Sequence, residues 1–199
     1  MTSSKRAAAG FSLLEVLISI IVLSIGLLGA VGMLMAAVRS TNESGSFTAA
    51  VALVRELSEK ARINKSIAAR NGPANAYVVP DWKSGDALPG GGTHSACIGV
   101  AAKCNAASLA DWDIRTWLVR VNDTLPDARV AVCFDDAPVA EDGSPAWDCS
   151  KTGRSLVVKL GWTPRLPTKA EKELATRPPQ VVMQLIPGQD YDAFAPDGF

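Results

Sequence analysis

The sequence predicts an α+β fold in which one long N-terminal helix, half membrane-spanning and half amphipathic, packs on a small antiparallel sheet head. Three observations carry this. Residues 11–38 are predominantly apolar with one ionisable side chain, Glu15, residues 47–61 repeat apolar side chains at helical spacing, and three short valine-rich runs occupy the second half of the chain.

The chain has 199 residues, enough for one ordinary domain and an appendage. Its 20 basic and 20 acidic residues cancel, which leaves no bulk charge with which to hold nucleic acid, and none is expected as a partner. A hydrophobic content of 48% argues against disorder. As a helix, residues 11–38 would run roughly 42 Å at about 1.5 Å per residue, longer than the ~30 Å hydrocarbon core of a bilayer. A purely soluble cytoplasmic enzyme is thereby excluded. No second apolar run approaches this length, so a multi-span transporter is excluded too.

The apolar run begins immediately after a short polar leader, residues 1–10, that carries Lys5 and Arg6. Basic residues on a short flank keep that flank cytoplasmic, so the remainder should lie across the membrane. A secretory signal would place its cleavage site after the apolar region, whereas the obvious boundary here, Gly10, lies before it. Glu15 is the odd residue. An acid near a helix centre costs about 2.5–3.5 kcal/mol on insertion scales, and such residues mark function.

The segment G-F-S-L-L-E-V, Gly10 to Val16, resembles the processing and methylation motif of type IV prepilins and type II secretion pseudopilins. That resemblance implies a cut between Gly10 and Phe11 by an inner-membrane prepilin peptidase, methylation of the new Phe11 amine, and an assembly role for Glu15. L-S-I-G-L-L-G at Leu23–Gly29 and A-R-I-N at Ala61–Asn64 are similar to the PilV-type minor pilins. So are A-D-W-D-I-R-T-W-L followed by L-P, between Ala110 and Pro126, and V-V-K-L-G-W at Val157–Trp162. The resemblance implies a pilin-like chain without an enzymatic activity or cofactor, with a leader at 1–10, a transmembrane and assembly helix at 11–38, an amphipathic continuation at 39–71 and a periplasmic head at 72–199. Its implied partners are the peptidase, other major and minor pilins, the inner-membrane assembly platform and, before assembly, membrane lipid. The alternatives are a type II secretion pseudopilin and, from another class, a membrane-tethered tip adhesin or ligand-binding module.

Within the apolar run Gly26, Gly29 and Gly32 recur every third residue, a spacing that permits close helix contacts in a membrane. Residues 40–46 dilute the helical signal and are expected to kink or fray it. Phe47, Ala50, Val51, Val54, Leu57 and Ala61 then restore helical spacing opposite a charged face of Arg55, Glu56, Glu59, Lys60 and Arg62, and N-G-P at Asn71–Pro73 should stop the helix. After a loop-rich stretch, Ser108 with Asp111 three residues on reads as the start of a second helix. Its apolar face carries Ala110, Ile114, Trp117, Leu118, Val121 and Leu125. Beyond the Leu125–Asp127 turn, runs 128–134, 155–162 and 180–186 read as strands, with Leu156, Val158, Leu160 and Trp162 on one side.

Cys97, Cys104, Cys133 and Cys149 all lie behind the apolar segment, and their spacings do not match the close ligand pairs of structural zinc sites. An even number in a polar domain across a membrane implies disulfides. Of three possible pairings, sequential pairing closes the smallest loops and is the expected one. No metal is expected: the acidic loop of Asp135, Asp136, Glu141, Asp142 and Asp148 matches no EF-hand and reads as solvated. His94 is the sole histidine and sits in a glycine-rich loop, so a catalytic triad finds no support.

Overall fold

The computed structural model describes residues 12–90, 97–100, 102–140, 142–163 and 177–185. In chain order these form α1 (Leu13–Ile63), α2 (Lys65–Ala68), β1 (Val79–Lys83), α3 (Ala106–Thr124), β2 (Arg129–Phe134), β3 (Leu156–Gly161) and β4 (Val181–Leu185). The chain divides after Thr41 into two compact units.

The first unit is the apolar part of α1. Ser12 opens it, with its hydroxyl accepting from the Leu14 amide at 3.3 Å. Ser19 and Ser24 donate their hydroxyls to the carbonyls four residues back, each at 2.7 Å. Polar groups so satisfied can enter lipid, where no water replaces a missing partner. The fraying expected at residues 40–46 is not there. Thr41 and Thr48 close on the carbonyls of Ala37 and Ser44, no proline interrupts, and the segment remains α-helical.

In the second unit, Ala50, Leu53, Val54, Leu57 and Ala61 of α1 are buried at helical spacing. They share a core with Ala110, Ile114, Trp117, Leu118 and Val121 of α3 and with the inner face of the sheet. The sheet is an antiparallel meander in the order β1-β2-β3-β4. Its register pairs Val130 with Leu160, Val132 with Val158 and Phe134 with Leu156, all core residues on one face. The fold is therefore α+β, with the three expected strands in place.

A fourth strand, β1, was not expected. Pro80 and Asp81 are exposed in it, and its pairing with β2 shifts register between Val79 and Trp82. Proline is tolerated there because β1 is an edge strand with an irregular register. Other boundaries also differ. Helix α1 ends at Ile63 rather than near Asn71, because Asn64 turns inward and donates to the Ala106 carbonyl at 2.7 Å. Helix α3 begins at Ala106, since the Asn105 side chain accepts from the Ser108 amide at 2.8 Å and is the cap that Ser108 was expected to be.

Three polar contacts lock the helices inside this unit. The Trp117 indole donates to the Leu53 carbonyl at 2.7 Å. Asp113 is buried between the Lys60 ammonium at 2.8 Å and the Tyr77 hydroxyl at 2.9 Å. Burial, and then the Asp113 carboxylate, push the Tyr77 phenol well above its ordinary range, so it stays a hydrogen-bond donor. Lys60, read from sequence as part of a charged face, is thus a bridge between α1 and α3.

Candidate functional site

Among the described residues, α1 is the one helix long and apolar enough to cross a membrane. Every large apolar side chain from Leu13 to Met35 is exposed on it, and Leu13 reaches 90%. An added Cβ at Gly26, Gly29 or Gly32 meets nothing within 4 Å. Packing among the described residues therefore does not require those glycines, whose spacing suits close contact with another helix in a membrane. Glu15 sits exposed in the first turn, its amide bonded to the Ser12 carbonyl at 3.0 Å and its carbonyl accepting from Ser19. Gly10 and Phe11 lie outside the described residues, as do His94 and Glu141.

In the head, disulfides join Cys97 to Cys104 and Cys133 to Cys149. The second links β2 to the β2–β3 connection, which covers the outer face of the sheet. Ala131, Cys133, Val157 and Lys159 point to that face, and all are buried. Lys159 is fully buried: its ammonium is 2.5 Å from Asp135 Oδ2 and donates to the Asp148 carbonyl at 2.5 Å. The other oxygen of Asp135 accepts from the Ala137 amide at 3.1 Å and the Ser150 amide at 3.2 Å. Burial pushes the Asp135 carboxyl up, but the Lys159 ammonium and the two amides outweigh it and hold the group below the usual carboxylate range.

Two glycines make this layer possible. Gly153 has φ +85°, and a Cβ there would stand 1.5 Å from Asp136 Oδ1, a position no larger residue can occupy unchanged. A Cβ on Gly161 would meet Trp147 Cζ2 at 2.9 Å, so the strand lies bare where the indole rests. The Arg129 guanidinium stacks 4.4 Å from the centre of that indole while pairing with Asp81 at 2.8 Å, and the indole nitrogen donates to the Arg177 carbonyl. Beside this stack opens a cleft of about 310 Å³ lined by Lys83, Asp127, Arg129, Trp147 and Trp162 among others. Asp127, in the turn leading to β2, takes a left-handed conformation with φ 46° at its rim.

The described acids of the acidic loop have partners within the head. Asp135 faces Lys159, and Asp142 accepts from both the amide and the hydroxyl of Ser144. Among the described residues, Cys133, Asp135 and Cys149 bring ligand atoms within 4.8 Å of one another. Both sulfurs are spent in the disulfide and the carboxylate faces an ammonium, so this donor set does not suit a metal. Sequence reasoning missed Lys159. The available signal was a lone lysine inside V-V-K-L-G-W, which strand alternation alone assigns to solvent.

Residues 5–31 match the family described as the prokaryotic N-terminal methylation motif. No curated protein and no solved structure matches the chain. The matched span covers the leader from Lys5, Gly10, Phe11, Glu15 and the apolar helix as far as Val31. It supports a type IV pilin-like prepilin, a substrate for leader cleavage and N-methylation, and the apolar helix fits a membrane-anchored subunit of that kind.

Proposed function

We propose that the chain is a minor pilin of the PilV type. It is inserted in the inner membrane with its leader in the cytoplasm and its head in the periplasm, and is cut between Gly10 and Phe11. Methylated on Phe11, it then joins or primes a type IV pilus. One observation carries this reading: the methylation-motif match falls on a helix whose large apolar side chains from Leu13 to Met35 stay exposed, and whose Gly26, Gly29 and Gly32 face open space, among the described residues. Such a helix is satisfied first by lipid and then by the helices of other pilins. The two disulfides favour an oxidising compartment for the head. The four patches similar to PilV-type pilins, from Leu23 to Trp162, favour the pilus over a secretion pseudopilus. A tip-exposed binding role would use the cleft beside Trp147.

Gene deletion with complementation tests the assignment. Deletion should abolish or sharply reduce surface pili and leave type II secretion intact, and the complementing protein should co-purify with sheared fibres. Normal piliation with failed secretion would assign the chain to a pseudopilus instead.

A further inference from the structure

The two acceptors of the buried Lys159 ammonium are Asp135 and Asp148, which lie just inside the two ends of a loop that begins in β2 and ends partway along the β2–β3 connection. Their neighbours in sequence are the two cysteines that close it, Cys133 and Cys149, 16 residues apart. The staple and the ion pair therefore hold the same segment to the same face. A buried ammonium is tolerated only with its full set of partners. Trp147, which rests on Gly161, is two residues from Cys149. The inner core is held separately, through Trp117 with Leu53 and Asp113 with Lys60 and Tyr77.

We propose that the Cys133–Cys149 bond is a redox latch on the outer layer of the head: its reduction releases the β2–β3 connection and bares Lys159, while the helix–sheet core stays folded. The inference stands on the head alone and does not depend on the pilus assignment. Cys149 is the more exposed partner and Cys133 is buried. A dithiol attacks as its thiolate at Cys149 Sγ. The S–S bond breaks, and Cys133 leaves as a thiolate that takes up a proton. The second thiolate of the dithiol then displaces Cys149, so the dithiol is oxidised by two electrons as the protein disulfide is reduced. A disulfide-bearing oxidant reverses the sequence. The outer layer is then complete only where such oxidants prevail, and a chain whose head is still in a reducing compartment keeps it open.

The test is acylation of lysines by an N-hydroxysuccinimide ester on the full chain in detergent, mapped by peptide mass spectrometry, alongside hydrogen exchange of α3. Reduction with dithiothreitol should raise Lys159 labelling by about tenfold or more, as expected for a local opening, while amides around Trp117 keep their protection. In the Cys97→Ser/Cys104→Ser variant, with Cys133–Cys149 intact, Lys159 should stay unlabelled. The latch is refuted if Lys159 stays unlabelled after full reduction, if α3 loses protection together with it, or if the variant exposes Lys159 while still oxidised.

Discussion

Replacing Lys159 with alanine destabilises the head by about 3–5 kcal/mol, the range measured when one partner of a buried ion pair is removed. The loss is large because Asp135 is only 2% exposed and would keep its charge without a counter-ion. Set against a typical domain stability of about 5–15 kcal/mol, it brings the head near its unfolding threshold. Urea unfolding of the full chain in detergent, followed by tryptophan fluorescence, measures it, since all five tryptophans lie in the head. Lys159→Met combined with Asp135→Asn removes both charges while keeping an acceptor for the Ala137 and Ser150 amides, and should recover most of the loss. A single variant as stable as the parent would show that the ion pair contributes little.

The same pair gives the head an acid-sensitive step. Asp135 is held below its ordinary value in the folded state, so the unfolded chain binds its proton first as the pH falls. The contribution is fully present above the unfolded carboxylate value of about 3.9 and is lost as the pH drops through the lower, folded one. The parent should lose stability below about pH 4 more steeply than the doubly neutralised variant.

Glu15→Gln leaves leader cleavage and membrane insertion essentially unchanged and impairs incorporation into the fibre or its initiating complex. A carboxylate surrounded by exposed apolar side chains has no cation on its own helix among the described residues until Arg39. Cleavage at Gly10 would create one, the amine of Phe11, which stays charged after methylation. On one helix the two residues are about 6 Å apart in rise. In a growing fibre the amine of one subunit can meet the glutamate of its neighbour and set their axial register, an interaction strengthened by the low dielectric around it. Crosslinking of the variant to neighbouring pilins, compared with the parent, measures the effect. Undiminished crosslinking with normal piliation would reduce Glu15 to a tolerated acid near the bilayer surface.

What the sequence makes legible follows from the range of the interactions involved. The apolar half of α1 was readable because a long run with one acid has few alternatives to a membrane helix. Strands β2 and β3 were readable from Val130, Val132, Leu156, Val158 and Leu160, whose alternation survives on the inner face. Strand β1 was not, because Pro80 and Asp81 break that pattern at an exposed edge. The cap of α3 was misplaced by three residues because Asn105 and Ser108 are both competent caps, and only the hydrogen bond between them chooses. The outer layer was hidden for a deeper reason. Burial of Lys159 depends on a distant segment folding back, and alternation along one strand says nothing about what covers its second face. Lys60 misled in the same way, since its partner Asp113 is 53 residues away.

The central claim is that residues 1–10 are a leader removed to expose Phe11. The mature chain, purified from cells with an active prepilin peptidase, should give by mass spectrometry an N-terminal peptide that begins at Phe11 and carries one methyl group on its amine. Its head peptides should be otherwise intact. A chain that retains residues 1–10 in those cells, unmethylated and in the membrane, would contradict the prepilin assignment and with it the role given to Glu15.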